Sequence, residues 1–402
     1  MNARDGLETR VTHPTDGDAP GILLTGATGF IGTEVLARLV ERTDKRIYAL
    51  VRGSDDAAAD ARLSVILNRA MGSDAALSDR VVAVRGDVEQ PGLGLSAARQ
   101  SWLADRVGDV VHVAASVSFT LPLERARAIN VEGTRHVLEF AERCNRSGAF
   151  GRFSHVSTAY VAGDHSGDFG EDDLELGQGF HNTYEQTKFE AERLVRSYAD
   201  RLPVQVFRPS IIVGDSVTGW TSSFNVMYTP LKAFHRHRVY AVPARESAPV
   251  DVVPVDYVAE AMVELVERPE ETDEVRTYHL VAGRDATTVG TLVELAARYF
   301  GKRKPPLVPK FIYMPFIRPL VMLTSPRARR KALRRTEVFF PYFSLRRRYD
   351  DARARPRLER AGIAVPRVED YFDRLAGFAV QAEWGRVEIP RRPRAAEPAM
   401  RV

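Results

Sequence analysis

Short apolar runs recur through the first 300 residues, and most are followed by a segment with helical spacing. Gly21-Ile22-Leu23-Leu24-Thr25, Arg46–Val51, Val81–Val84, Asp109–Val113, Phe153–Val156 and Val204–Phe207 each have the length of one buried strand. Val35, Leu36, Leu39 and Val40 follow the first run with the spacing of a helix, and Val137, Leu138, Phe140 and Ala141 precede the fifth. Strands and helices in alternation predict an α/β fold, a doubly wound parallel sheet with its ligand at the carboxyl ends of the strands. Asp251–Val258 followed by Ala259–Val266 reads as one further strand and helix of the same body.

One helical segment is unusual. At about 100° per residue, Tyr184, Lys188, Ala191, Val195, Tyr198 and Leu202 fall on one stripe, whereas Glu185, Gln186, Glu190, Glu192, Arg193 and Arg196 point elsewhere. The inward stripe thus carries a lysine one turn after a tyrosine. A buried ammonium needs a partner, and a cation beside a phenol favours tyrosinate. The alternative is an ordinary amphipathic helix with a snorkelling lysine.

Composition narrows the picture without naming a chemistry. A chain of 402 residues, 44% hydrophobic and 27% charged, is globular, with room for two domains or one elaborated one. The single cysteine, Cys144, excludes a disulfide framework and fits a reducing, cytoplasmic setting. Residues 1–20 are polar and read as a disordered lead rather than a signal peptide, and the last residues, 386–402, read as a disordered tail. No apolar run approaches the roughly 20 residues that span a bilayer; Phe311–Leu323 contains two prolines and Arg318. Charge is uneven, with 18 Lys/Arg against four acids between Lys302 and Arg360, so the rest of the chain is acidic. The expected division is a cofactor-binding body at 21–300, with a substrate-facing insertion near 215–245, and a smaller, partly helical, basic substrate or lid region at 301–385.

The first strand ends in Gly26-Ala27-Thr28-Gly29-Phe30-Ile31-Gly32, directly before a helix. Strand, glycine turn and helix form the setting of a dinucleotide fingerprint, with Gly26 for the turn, Gly29 for approach of the pyrophosphate and Gly32 for helix packing. The second strand ends in Arg52 where an NAD-specific site carries an acid, which favours the 2′-phosphate of NADP. Asp87 and Val88 end the third strand, in reach of an adenine, and the small residues Ala114, Ala115 and Ser116 end the fourth. Thr158 and Arg208 stand at the ends of the fifth and sixth.

Together, the glycine turn, Thr158, Tyr184-x-x-x-Lys188 and Arg208-Pro209-Ser210 resemble the extended short-chain dehydrogenase/reductases, over roughly residues 20–290. His112–Phe119, Val156–Val161 and Arg208–Gly214 with Thr218-Gly219-Trp220 are similar to a narrower branch, the fatty acyl-CoA reductases and the thioester reductase domains of carboxylic acid reductases and peptide synthetases. The resemblance implies a Rossmann sheet and NADPH bound by Thr28, Phe30, Ile31, Asn130, Pro209, Ser210 and Ile212 besides the residues above. It implies Tyr184 as general acid, Lys188 lowering the tyrosine pKa and holding the nicotinamide ribose, and Thr158 rather than the oppositely pointing Ser157 fixing the substrate oxygen. Asn130 would support the lysine. The expected reaction is reduction of an acyl-CoA or carrier-protein thioester to aldehyde or alcohol, with no metal. A nucleotide-sugar or sterol-like dehydrogenase or epimerase, and a non-catalytic NADP-binding regulator, remain as alternatives. His112 and His155 read as core histidines, and the acidic loop Asp164, Asp168, Glu171, Asp172, Asp173 as solvated. The segment 302–360 has three readings: a lid, a docking surface for an acidic carrier or CoA phosphates, and a peripheral membrane contact. No nucleic-acid reader motif is present.

Overall fold

The computed structural model describes residues 20–71, 79–148, 150–236, 239, 241–270, 272, 274–324, 330, 337, 340–344 and 346–391. The lead at 1–19, most of the basic run at 325–336 and the tail beyond 391 lie outside the described residues.

Seven parallel strands form the central sheet: β1 (Gly21–Thr25), β2 (Ile47–Val51), β3 (Val81–Arg85), β4 (Val107–His112), β5 (Arg152–Val156), β7 (Val204–Pro209) and β11 (Arg276–Leu280). Their order is β11-β7-β5-β4-β1-β2-β3, so the direction of winding reverses beside β1, the crevice where a doubly wound sheet takes its ligand. Crossovers run through α1 (Phe30–Arg42), α2 (Asp56–Met71), α3 (Ala97–Ala104), α4 (Gly133–Arg146), α5 (Thr183–Arg196) and α6 (Val255–Glu267). Because successive residues of a strand face opposite sides, Ile22 and Leu24 pack with α1, α2 and α6, while Leu23 packs with α3, α4 and α5. Both faces are therefore covered, which is why the strands read as continuous apolar runs.

Three two-stranded pairs complete the fold: β6 (Gly167–Phe169) with β13 (Arg347–Tyr349), β8 (Ile211–Val213) with β10 (Val252–Pro254), and β9 (Pro249–Val250) with β12 (Thr287–Thr288). A third apolar cluster joins Val213, Tyr228 and Val252 to Leu295 of α7 (Val289–Tyr299) and to Tyr371, Phe372 and Leu375 of α8 (Val368–Gln381). Of residues 386–391, expected to open a disordered tail, Arg386, Val387, Glu388 and Pro390 are exposed, while Ile389 packs against Trp220 and Arg391 is held in the body. Arg391 is buried and its Nε donates to Glu34 Oε1 at 2.5 Å, since a carboxylate sunk in α1 needs a cation.

Candidate active site

The turn after β1 sets the shape of the main cleft. Gly26 has φ +76°, and a side chain there would meet the Ala114 backbone nitrogen at 2.6 Å. A Cβ on Gly32 would lie 2.0 Å from the Gly26 carbonyl oxygen, so α1 seats directly on the turn and aims its N-terminus into the cleft. The cleft has a volume of about 690 Å³. Its wall brings together Gly26, Thr28, Gly29, Phe30, Ile31, Gly32, Arg52, Asp87, Val88, Ala114, Ala115, Thr158, Tyr184, Pro209, Ser210 and Ile212. These residues fit an elongated dinucleotide: a helix N-terminus and small backbone-exposing residues at the centre, and no carboxylate at the end of β2. Arg62 of α2 shares the wall beside Arg52 and was missed by sequence reasoning; its position in the first half of the helix that follows β2 was the available signal.

Ser116, Asn130 and Lys188 are not on that wall but behind it. Asn130 Oδ1 accepts from Ser116 N (2.7 Å), and its Nδ2 donates to the Ser116 carbonyl (3.1 Å) and to Thr187 Oγ1 (2.9 Å). One amide thereby ties the end of β4 to the helix of Tyr184. His112 is a buried part of the same scaffold, with Nδ1 at 2.7 Å from Thr25 Oγ1 and Nε2 at 3.0 Å from Thr134 Oγ1. Burial and the Lys188 charge push its pKa down to about 3.

Tyr184 stands at the start of α5, whose cap is Asn182 accepting from Glu185 N at 3.0 Å. Its ring stacks on Phe119, with centroids 5.6 Å apart. Burial pushes the phenol up to about 12, opposed by a hydrogen bond to Thr158. Thr158 Oγ1 also donates to the Pro209 carbonyl at 3.3 Å. Ser157 does point the other way, its hydroxyl donating to Glu192 at 2.7 Å. The Lys188 ammonium donates to the Val156 carbonyl at 2.7 Å and lies 3.3 Å from His155 Nε2, while the groups that shift the Tyr184 phenol are Thr158 and Glu185. A buried ammonium takes the nearest acceptor, and the last carbonyl of β5 provides one. Burial lowers the Lys188 pKa to about 8, with Glu192 opposing.

Two glutamates assigned by periodicity to the outer face of α5 are fully buried. Glu192 binds the guanidinium of Arg208, at 2.7 Å from Nη2, and Arg208 is itself fully buried, so it does not face the cleft. Glu185 accepts from His181 N at 2.8 Å and from the Tyr342 hydroxyl. Of the acidic loop, Asp164, Asp168 and Asp172 are exposed as expected, but Glu171 is not. Glu171 is buried and accepts from His279 N, Arg353 N and Ala354 N, and Asp172 pairs with the Arg353 side chain at 2.8 Å. Part of the basic segment therefore neutralises the acidic loop.

A second, apolar chamber of about 190 Å³ adjoins the cleft. Tyr160, Ile211, Val226 and Tyr342 line both spaces. Met227, Leu231 and Phe234 from the insertion, Leu292 and Ala296 from α7, and Tyr313, Val321 and Phe340 from the late segment form much of its wall. Phe311 and Phe316 (each 72% exposed), Leu320 and Leu323 lie on that late segment but face solvent.

A family model described as male sterility protein, an NAD-binding family, matches residues 24–262. The isonitrile lipopeptide synthase of Streptomyces coeruleorubidus is 35% identical over 257 residues, 63% of this chain and 17% of that protein. Fatty acyl-CoA reductase wat of Drosophila melanogaster is 32% identical over 244 residues, 52% of this chain and 46% of that one. The chain thus spans less than half the length of these curated relatives. Among solved structures, the terminal R domain from the myxalamid PKS-NRPS biosynthetic pathway superposes with a TM-score of 0.78 at 30% identity, covering 93% of this chain and 94% of that one.

Proposed function

This chain belongs to the NAD-binding family described as male sterility protein, and we propose that within it the protein is an NADPH-dependent reductase of acyl thioesters. The observation that carries this reading is the junction of the two spaces: the Tyr184 phenol and Thr158 hydroxyl lie on the cleft wall, and Tyr160 and Tyr342 open the same cleft onto an apolar chamber. Relatives named fatty acyl-CoA reductase and peptide-synthetase R domain support it.

The nicotinamide dinucleotide, when bound, supplies the hydride. Tyr184 and Thr158 then hold the substrate carbonyl oxygen between two hydroxyls and stabilise the charge that develops on it. Tyr184, a phenol and so protonated at neutral pH, gives up the proton as general acid. Lys188 clamps β5 to α5 through the Val156 carbonyl, which keeps Thr158 and Tyr184 in register, and would also hold the ribose. Asn130 fixes the neighbouring backbone. A hemithioacetal formed at this oxygen collapses to aldehyde and free thiol, and a second round would give the alcohol. We assign residues 301–385, a basic stretch of sequence, to the substrate side, with the solvent-facing Phe311, Phe316, Leu320 and Leu323 and the exposed Lys310 as the docking face for an acidic carrier protein or CoA. Among the described residues, no helix is long and apolar enough to cross a membrane.

The test is oxidation of NADPH in the presence of palmitoyl-CoA, a carrier-bound acyl thioester and a UDP-sugar. Consumption with the thioesters, yielding aldehyde, is expected; turnover of the sugar alone would refute the proposal. Arg52 and Arg62 are proposed to grip the 2′-phosphate. Arg52 is otherwise held only loosely, 3.9 Å from Glu89. Arg52→Ala with Arg62→Ala should lower kcat/KM for NADPH about tenfold or more while leaving NADH nearly unchanged. An unchanged cofactor ratio would remove these arginines from the site.

A further inference from the structure

Arg347 reaches the apolar chamber from β13, and we propose that it binds an acceptor oxygen on the acyl chain, a hydroxyl or oxo group near the thioester. This deepens the reductase reading and rests on it for the nature of the ligand.

The basis is an unbalanced buried cation. Arg347 is only 6% exposed and lies on the chamber wall. Of its nitrogens, only Nη1 finds a well-aligned acceptor among the described residues, the Gly163 carbonyl at 2.6 Å; Nε is buried with none. Its neighbours in sequence behave differently: Arg353, Arg355 and Arg357 each take a carboxylate, from Asp172, Asp351 and Glu270. The Arg347 guanidinium instead sits 5.5 Å from the centroid of the Tyr160 ring and 5.0 Å from that of Tyr349, two faces that hold it in place without using its donors. The Tyr349 hydroxyl, also buried on the chamber wall, takes only a poorly aligned hydrogen bond from the Arg347 guanidinium, and its own proton meets no acceptor. Asp251 shares the wall, but its carboxylate is engaged by Ala282 N and Gly283 N, each at 2.8 Å.

Buried donors without acceptors are rare in folded proteins. A plain saturated chain filling this chamber would leave the Arg347 Nε and the Tyr349 hydroxyl as they are. An oxygen on the chain would satisfy both. Its place on the chain follows from Tyr160, which lines both spaces and whose backbone nitrogen donates to Thr158 Oγ1 at 3.2 Å. Arg347 is thus one aromatic ring removed from the groups that hold the reacting carbonyl, so the oxygen lies near the thioester and not at the far end of a long chain.

The experiment compares the N-acetylcysteamine thioesters of decanoate, 3-hydroxydecanoate and 3-oxodecanoate with the full chain and NADPH. These share one small carrier, so differences belong to the acyl group. The oxygenated thioesters should show kcat/KM about tenfold or more above decanoyl. Arg347→Met should erase that ratio while keeping decanoyl turnover, and Arg347→Lys should restore part of it; should the methionine variant not fold, the lysine variant and Tyr349→Phe, with a smaller loss, carry the comparison. Equal kcat/KM for all three substrates in the wild type, or an equal loss on all three in a folded Arg347→Met protein, overturns the assignment and leaves the reductase reading intact. Binding of decanamide and 3-hydroxydecanamide, which cannot be reduced this way, separates the two ideas. Tighter binding of the hydroxylated amide by wild type but not by Arg347→Met supports the site whether or not any thioester turns over, and equal binding overturns it.

Discussion

Tyr184→Phe should lower kcat for thioester reduction about a thousandfold, with KM for the thioester and affinity for NADPH close to wild type. The size follows from the usual contribution of a positioned general acid, about 10² to 10⁴, and the pattern of kinetic constants from an interaction made only in the transition state. The fold should tolerate the change. The phenol oxygen is engaged with Thr158, and the ring contact with Phe119, at 5.6 Å, survives in phenylalanine. Thr158→Val should cost less, because Tyr184 remains to donate the proton. Single-turnover rates at saturating NADPH would check the pair, and a phenylalanine variant at full rate would end the assignment of Tyr184. Lys188 is a poor first target for such a test. Its ammonium also joins β5 to α5, so its loss would mix mechanism with structure.

The second large effect concerns stability. Arg208→Met, or Glu192→Gln, should destabilise the protein by about 3–5 kcal/mol, because either change leaves one charge or a set of donors buried without its partner. Arg208 also donates to the carbonyls of Gly170 (3.3 Å) and Asp173 (2.6 Å), so the pair anchors the acidic loop as well as α5. Burial would raise the Glu192 pKa, yet Arg208, Arg196 and Ser157 hold it down to about 2. A carboxylate held below its usual range stabilises the fold fully above that range. The contribution is lost as pH falls from about 4.5 toward 2. Denaturant titrations across that window should show the wild type losing stability where Glu192→Gln is flatter. Parallel curves would show that the pair does not govern acid stability.

How far the sequence could be read depended on whether a residue's partners were near it. Six strands of the central sheet lie within a residue or two of their expected places, since a strand covered on both faces is apolar throughout; the edge strand β11 was not read, and the strand expected at Asp251–Val258 pairs with β8 outside that sheet. The glycine turn, Thr158 and the Tyr184 helix were legible because each is bound to a local backbone geometry. Glu185 and Glu192 were not, since their burial depends on Tyr342 and Arg208, supplied by a late segment and by β7. The same is true of Glu171 and Asp172, whose partners Arg353 and Ala354 come from a segment far along the chain. The apolar chamber was legible only in part. The substrate-facing insertion expected near 215–245 does supply Met227, Leu231 and Phe234, but the chamber wall is closed by α7, by β13 and by Phe340, far along the chain. Lys188 was placed correctly on the buried stripe, and its partner was not, because periodicity gives the direction of a side chain and not which acceptor it meets.

The Tyr342 contact with Glu185 has a consequence for the order in which the chain is made. Every strand of the central sheet has been synthesised by Leu280, yet Glu185 at the head of the Tyr184 helix and Glu171 in the loop beside it receive partners from residues 342–354. Synthesis runs from the amino end at about 5–20 residues per second, and domains fold as they emerge. A nascent chain can therefore close its sheet while one oxygen of the Glu185 carboxylate, the one His181 does not engage, still lacks its partner. Arrival of the last segment completes that helix and the chamber wall in one step, so the nascent protein acquires its sheet well before its active site.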